Sequence, residues 1–191
     1  MEEIAHGPAL TPADIQMASV ELRRVVEVVL LVEKEAIFKR LDLGEKVVVV
    51  TGKGYPDVAT RELLAMLGNM GAPVFALVDL DPHGIEIMAT VRFGSQAMAH
   101  QGPSLCVEGL RWMGVDFADV NEVILTGGRG LKELEEVDRR KAVSLLARWW
   151  IEEAPSWKAI LQKMLFWGYK AEIEVLGELV EEWVERRVSD S

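Results

Sequence analysis

The sequence predicts an α/β domain built around a parallel β-sheet. Three short runs rich in valine and leucine, Val28–Val32, Val47–Val50 and Val74–Val78, have the composition of strands that are buried on both faces. Segments with a helical spacing of apolar residues lie between them. This β-α-β-α-β alternation favours parallel strands that are joined by helical crossovers.

Helical periodicity predicts a helix after each strand and a mostly helical C-terminal extension. The first twelve residues, which include Pro8 and Pro12, are predicted to be a tail or linker, so the domain covers residues 13–188. The predicted helices are Ala13–Glu27, Lys34–Leu41, Val58–Met70, Ile85–Phe93, Leu131–Glu152, Trp157–Trp167 and Lys170–Val188. The tryptophans that we expect to pack in the core, rather than to form a binding surface, are Trp149, Trp150, Trp157, Trp167 and Trp183.

The composition is that of a globular domain with a strong negative charge. The chain has 191 residues, of which 50% are hydrophobic, and this suits one domain with a sizeable core. No apolar run approaches the roughly 20 residues that cross a bilayer, and the N-terminus lacks the pattern of a signal peptide. The net charge of −10 argues against a general nucleic-acid coat protein, which is typically basic. It is compatible with a DNA enzyme whose carboxylates bind metal ions.

Three acidic residues follow two of the predicted strands at the point where each strand ends. Glu33 ends the first strand, and Asp79 and Asp81 end the third. Parallel α/β sheets bind their ligands at this carboxyl edge. Asp79 and Asp81 point the same way if the chain stays extended, which Pro82 favours at Asp81. Clustered carboxylates are suitable ligands for Mg²⁺; the alternative, that these residues are solvated loop acids or helix caps, stays open.

A glycine-rich turn after the second strand supplies cations near the same edge. The spacing of Thr51–Asp57 is neither that of a Walker loop nor that of a Gly-x-Gly-x-x-Gly motif, but its glycines allow close backbone approach beside Lys53. Arg61 either contacts a phosphate or pairs with Asp57, which is itself a candidate helix cap. His83, next to the acids, is a candidate proton shuttle or phosphate contact. The residues that we expect to contact DNA are Lys53, Arg61, Arg92 and His83.

The sequence carries four linked segments in the order and spacing of one known family: Val32–Phe38, Thr51–Arg61, Val78–Ile87 and Phe93–Ser95. They resemble the Toprim domain of topoisomerase VI A subunits and of their eukaryotic relative, the meiotic double-strand-break transesterase. The later segments Trp112–Val115 and Lys170–Glu174 look similar to that family as well. The Asp-Pro-His-Gly form at positions 81–84 favours the eukaryotic, meiotic members.

The resemblance implies a Rossmann-like Toprim sheet and assigns roles to the acids. In that family a glutamate and two aspartates hold Mg²⁺, and these match Glu33, Asp79 and Asp81, with Glu33 as the catalytic acid. Glu35 is the competing candidate, but the family motif places the catalytic acid first. The family breaks DNA by transesterification, in which a tyrosine attacks a phosphodiester and stays attached to the 5′ end.

The nucleophilic tyrosine of the family belongs to a winged-helix domain that precedes the Toprim domain. No counterpart of that domain is found before Ala13, and the two tyrosines present, Tyr55 and Tyr169, lie in the glycine-rich turn and near the C-terminal helix. We therefore expect this chain to bind Mg²⁺ and double-stranded DNA without cutting DNA by itself.

The resemblance also implies partners and a location. The expected partners are double-stranded DNA, a second copy that binds through the Toprim domain, and a topoisomerase VI B-like subunit; no membrane is expected. A meiotic member acts in the nucleus on chromosomes, and an archaeal one in the cytoplasm. Two alternatives stay open: a dimerisation or partner-docking module with idle acids, and an archaeal-type topoisomerase VI A domain. The Gly-Lys-Gly-Tyr-Pro-Asp segment at positions 52–57 argues against a primase or nuclease of the Toprim group.

Overall fold

Four parallel strands form the central sheet of the computed structural model, which describes residues 26–94, 105–125 and 130–189. Every residue of the central strand β1 is buried, as expected for a valine- and leucine-rich strand covered on both faces. The three predicted strands are confirmed, whereas the fourth was not predicted. In the order β2-β1-β3-β4 the sheet contains β1 (Val28–Val32), β2 (Val47–Thr51), β3 (Val74–Leu77) and β4 (Arg111–Gly114).

A helix follows each of these strands; periodicity predicted the first three of these helices but not the fourth. The bounds are α1 (Glu35–Phe38), α2 (Val58–Asn69), α3 (Pro82–Phe93) and α4 (Phe117–Leu125). The first of them is shorter than the predicted Lys34–Leu41. The third begins three residues before the predicted Ile85, because Asp81 caps it and Pro82 fits the first helical position.

The C-terminal part contains two short strands that the helical prediction missed. Leu131–Glu133 was predicted to be helical but forms β5, and it pairs antiparallel with β6 (Tyr169–Ala171), which includes the start of the predicted helix Lys170–Val188. The three residues of β5 are all exposed, so they carry no apolar pattern of a strand. The remaining elements are α5 (Glu136–Leu146), a 3₁₀ segment (Trp149–Glu153), α6 (Pro155–Trp167), a second 3₁₀ segment (Ile173–Leu179) and α7 (Val180–Ser189).

The tryptophans divide between the core and the surface. Trp150, Trp157 and Trp183 are buried, as predicted, and Phe93 stacks on Trp150. The prediction was wrong for the other two members of the set. They are Trp149, which is 59% exposed, and Trp167, which is 48% exposed.

In the part of the chain that the structure describes, no helix combines the length and the apolar character that crossing a membrane requires. The predicted tail 1–12 and nearly all of the predicted helix Ala13–Glu27 lie outside the described residues.

Candidate functional site

The acid edge, which we define as Glu33, Asp79 and Asp81, lies where β1 and β3 end. These two strands are parallel neighbours with Val32 opposite Leu77, so the residues that follow them meet at one edge of the sheet. The backbone N–H of Asp79 donates a hydrogen bond of 2.9 Å to Oε2 of Glu33. The structure thus places the first two predicted site acids in direct contact.

Asp81 follows Asp79 by two residues and caps α3. It is extended, with φ −147° and ψ 170°, and its Oδ1 accepts a 2.7 Å hydrogen bond from the backbone of Gly84. A Cβ on Gly84 would lie 2.3 Å from the carbonyl oxygen of Asp79, so only glycine permits this close approach. The helix-cap interpretation therefore applies to Asp81, whose second carboxylate oxygen has no hydrogen bond to another described residue.

The C-terminal segment completes the acid edge from the other end of the chain. Leu80 and Ala171 form an antiparallel bridge through two backbone hydrogen bonds of 2.8 and 3.1 Å. This bridge brings the N–H of Ile173 to within 2.8 Å of Asp79 Oδ1. Periodicity gave no sign of this contact; the signal was the family-like segment Lys170–Glu174.

Lys34 is a site residue that the sequence analysis missed. Its Nζ lies 3.2 Å from Asp79 Oδ2 and 2.6 Å from Glu174 Oε2. Burial opposes the charge on Lys34, but the hydrogen bond to Glu174 and the charge of Asp79 outweigh it and raise the pKa of the ammonium. Lys34 therefore supplies the positive charge beside Asp79 in the metal-free protein.

Glu33 and Asp79 hold their protons more tightly than ordinary carboxyls do. Burial raises the pKa of Glu33 to about 7, and the neighbouring charges of Asp79 and Asp81 add to the effect. Burial likewise raises the pKa of Asp79 to about 6, although the N–H of Ile173 and the charge of Lys34 oppose the shift. Such mutual repulsion between carboxylates is what a bound cation relieves.

The oxygen atoms of the acid edge are suitable for Mg²⁺, but the described side chains do not converge as a finished metal cage. No group of three histidine, cysteine, aspartate or glutamate side chains is poised to hold a metal ion within the described ranges. Asp79 Oδ2 is taken by Lys34, and Asp81 Oδ1 by the helix cap. Because Mg²⁺ keeps several waters, it requires only one or two protein carboxylates. The set of donors therefore fits Mg²⁺.

Glu35, the competing catalytic candidate, pairs with lysines and not with the other acids. Its carboxylate lies 3.0 Å from Lys39 and 3.3 Å from Lys53, and hydrogen bonds from these two lysines lower its pKa. These contacts separate its surroundings from those of Glu33, which contacts Asp79.

Tyr55 and His83 form a polar network next to the acid edge. The Tyr55 hydroxyl donates to the carboxylate of Glu86, which also pairs with Lys141, and it lies 3.0 Å from His83 Nδ1. Because the hydroxyl proton goes to Glu86, the oxygen can only accept from His83, which places a proton on Nδ1 and directs Nε2 elsewhere. Burial and the bond to Glu86 raise the pKa of Tyr55. The charges of Asp81 and Glu33 add to this shift.

The predicted DNA contacts are not gathered on one surface. Lys53 is exposed, in the glycine-rich turn whose Gly54 N–H donates to the Glu33 carbonyl. Arg61 is only 3% exposed, so its position does not favour contact with a phosphate. Asp57 caps α2 by accepting from the N–H of Thr60, as its cap interpretation predicted. Arg92 lies at the opposite end of α3 from Asp81, a distance of about 16 Å for eleven residues.

The fold and the site together define a class, a parallel α/β domain with acidic side chains at the carboxyl edge of neighbouring strands. Residues 28–187 match the family of Toprim domains from Spo11 and from the A subunits of topoisomerase 6. The chain belongs to this family, and its predicted Toprim fold is confirmed.

Relatives from plants and animals are similar over most of the chain. Meiotic recombination protein SPO11-1 of Oryza sativa subsp. indica is 39% identical over 176 residues, which cover 86% of this chain and 46% of that protein. Meiotic recombination protein SPO11 of Mus musculus is 37% identical over 164 residues, 82% of this chain and 41% of that protein. The DNA topoisomerase 6 A subunit of Arabidopsis thaliana is 32% identical over 155 residues, which cover 78% of this chain and 36% of that protein. The chain spans less than half the length of these three relatives.

Proposed function

We propose that the chain is the magnesium-binding part of a DNA transesterase that makes double-strand breaks in meiosis. The contact between the Asp79 N–H and the Glu33 carboxylate carries the proposal, because it joins two buried acids at the edge where parallel sheets bind ligands. Membership of the family supports the assignment. The whole protein would form a 5′-phosphotyrosyl link to DNA in the nucleus, and its partners would be a second copy and a topoisomerase VI B-like subunit.

Glu33 and Asp81 would hold Mg²⁺, and Asp79 would join them once Lys34 releases its Oδ2. When bound, Mg²⁺ supplies positive charge that stabilises the charge developing on a phosphate. The chain's own residues then have three tasks. Glu33 would supply an anionic oxygen to the ion, the Ile173 N–H orients Asp79, and the Tyr55 hydroxyl holds the ring of His83.

Calorimetric titration with MgCl₂ or MnCl₂ tests the metal proposal. We expect Asp79→Asn/Asp81→Asn to abolish the binding heat, because both substitutions replace anionic ligands with neutral ones. Glu62→Gln/Glu182→Gln, which removes two exposed charges, is the matched control. Equal affinities for the wild type and the Asp79/Asp81 variant would overturn the proposal.

DNA binding at the acid edge should be weak and sensitive to salt, because few cations face it and the chain is acidic. We expect Lys53→Ala to lower the affinity for duplex DNA at low salt. Lys158→Ala, which removes a lysine paired with Glu152 on a different element, should leave it unchanged. Unchanged affinity in Lys53→Ala would remove Lys53 from the DNA surface.

Neither tyrosine of the chain is expected to act as the nucleophile. The Tyr55 hydroxyl is committed to Glu86 and His83, and its raised pKa makes the phenolate harder to form. We expect supercoiled plasmid incubated with the chain and Mg²⁺ or Mn²⁺ to acquire no covalently bound protein. A linear product attached to this chain would contradict that assignment.

A second candidate function is self-association or partner docking through this domain. Its support is a group of exposed aromatic side chains at the end of α6 and in β6: Phe166, Trp167 and Tyr169, which are 85%, 48% and 41% exposed. Such side chains are typical anchors of protein interfaces. A concentration-dependent dimer in light scattering that Phe166→Ser removes would favour this function; it is compatible with metal binding.

A further inference from the structure

A cleft of about 500 Å³ lies between the edge strand β4, α6 and the C-terminal parts of α3 and α7. We call it the β4 cleft. Its size is in the range of small-ligand sites. Among the described residues, four cationic side chains contribute to its lining, whereas Asp116 is the single carboxylate that does so. The four cations are Arg92, Arg111, Lys163 and Arg187.

Two cations of the β4 cleft, Arg92 and Arg111, are held by aromatic rings and not by carboxylates. The Arg92 guanidinium lies 5.0 Å from the ring centre of Phe93 and 5.5 Å from that of Trp157, and Arg111 lies 5.7 Å from the ring of Phe75. These cation–π contacts fix the guanidinium groups but leave their charge. Within the described residues, Arg92, Arg111 and Lys163 form no ion pair with a carboxylate.

This arrangement is unusual for a chain with a net charge of −10. At the acid edge, Lys34 is surrounded by Asp79, Glu172 and Glu174. The fourth cation of the cleft, Arg187, is anchored by Asp119 and by the carbonyl of Met113. It therefore contributes a fixed wall to the cleft, while the other three cations keep their positive charge for a ligand.

Two further groups of hydrogen-bond donors lie at the same cleft. Ser156 and Trp157 belong to the first turn of α6. Ala154, the residue before this helix, provides no side-chain cap for that turn. The N-terminus of a helix attracts anions through its N–H groups. The indole Nε1 of Trp112, a residue that also lines the cleft, is buried and has no acceptor among the described residues.

We propose that the β4 cleft binds a phosphate-bearing ligand, held by the guanidinium groups of Arg92 and Arg111 and by Lys163. Guanidinium groups bind phosphate oxygens in pairs, and the first turn of α6 supplies backbone donors. The shared chemistry is a phosphate group with at least two negative charges, either on the DNA backbone or on a small phosphorylated molecule. The site is distinct from the acid edge and does not depend on a metal ion.

Titration with inorganic pyrophosphate in the presence of EDTA tests the proposal. We expect Arg92→Gln/Arg111→Gln to raise the Kd by at least about a hundredfold, because two charge-assisted hydrogen bonds to the phosphate are lost. Lys163→Gln should also weaken binding. Because Lys163 is exposed and has no ring contact, this variant keeps the test valid if the double variant misfolds. Thermal denaturation checks the fold of the double variant. Arg186→Gln is the control of equal charge for Lys163→Gln, because Arg186 is exposed and does not line the cleft. Equal affinity in wild type, Lys163→Gln and a folded double variant would overturn the proposal.

Competition identifies the source of the phosphate. A DNA duplex that displaces pyrophosphate from the wild type assigns the cleft to the DNA backbone, and a duplex that fails to displace it assigns the cleft to a small phosphorylated ligand. A glutamate-rich peptide that binds as tightly as pyrophosphate, through the same residues, would overturn the phosphate assignment. Asp79→Asn/Asp81→Asn should leave pyrophosphate binding unchanged, so failure of the metal proposal and failure of this one are distinguishable.

Discussion

The acid edge and the β4 cleft hold opposite charges and compensate them in different ways. At the acid edge, Asp79 shares its charge with Lys34 and with the N–H of Ile173, while Glu33 receives a single backbone N–H and keeps a raised pKa. At the cleft, Arg92 and Arg111 contact aromatic rings instead of carboxylates. Each region therefore keeps part of its charge for a ligand of opposite sign. The net charge of the whole chain, −10, conceals this division.

Substitution of Gly84 should disrupt the acid edge and have the largest effect on stability. Gly84→Ala places a methyl group where the Asp79 carbonyl lies, 2.3 Å away, and backbone must move to accommodate it. We expect a loss of stability of about 3 kcal/mol, at the upper end of overpacking effects, together with loss of Mg²⁺ binding.

Denaturant unfolding and calorimetry measure both effects. Gly109→Ala is the matched control, because a Cβ there meets no atom within 4 Å. If Gly84→Ala stays folded, pyrophosphate should still bind the β4 cleft. A Gly84→Ala protein with wild-type stability and metal affinity would show that the close approach is not required.

Removal of the Glu33 charge should change how the stability of the protein depends on pH. The folded pKa of about 7 exceeds the ordinary value of 4.5, so the folded state keeps a proton that the unfolded state releases. Stability therefore falls as pH rises from 4.5 to 7 and is level above that. In metal-free buffer, Glu33→Gln should equal the wild type near pH 4.5 and exceed it at pH 8 by on the order of 2 kcal/mol.

At pH 8, Mg²⁺ should make the wild type more stable than Glu33→Gln. A ligand that binds the folded state stabilises it, and only the wild type keeps the Glu33 carboxylate as a ligand. Urea unfolding of both proteins at the two pH values, with and without MgCl₂, gives four stabilities for each protein. Glu62→Gln, at an exposed position on α2, controls for the change in net charge. A constant difference between Glu33→Gln and wild type across this pH range would contradict the raised pKa.

Loss of the Tyr55 hydroxyl should have the smallest effect. Tyr55→Phe removes the hydrogen bonds to Glu86 and His83 but keeps the ring, and Glu86 retains Lys141. We expect a loss of about 1 kcal/mol and a shift of the His83 ring from its single Nδ1–H tautomer to a mixture. Nitrogen NMR of the histidine ring reports the tautomer, and Tyr169→Phe is the control. An unchanged tautomer in Tyr55→Phe would mean that the network does not orient His83.

Much of the sheet was predictable because β1, β2 and β3 are continuous apolar runs. Glu33, Asp79 and Asp81 were predictable as edge residues for the same reason, since the end of each run marks where a side chain leaves the sheet. β4 was not predictable, because its sequence Arg111–Gly114 contains an arginine and a tryptophan and its first residue is exposed. An edge strand has only one neighbour, and its composition is correspondingly mixed.

The contacts that complete the site were beyond sequence reasoning because they join distant parts of the chain. Lys34 reaches Glu174 across 140 positions and Ile173 reaches Asp79 across 94. Local periodicity carries no information at that range. Arg61 is a further example: the sequence left open a phosphate contact and a pair with Asp57, and its position after a glycine-rich turn did not reveal that its side chain is buried.

The bridge between Leu80 and Ala171 has a consequence for the order of events during synthesis. A nascent chain that has emerged as far as α5 already contains the four parallel strands and all three acids. It lacks the Ile173 N–H that orients Asp79 and the Glu174 carboxylate that holds Lys34. Contacts of such high sequence separation form late, since the entropy of closing a long loop must be overcome first. During synthesis, the sheet can therefore form before the contacts of the acid edge are complete.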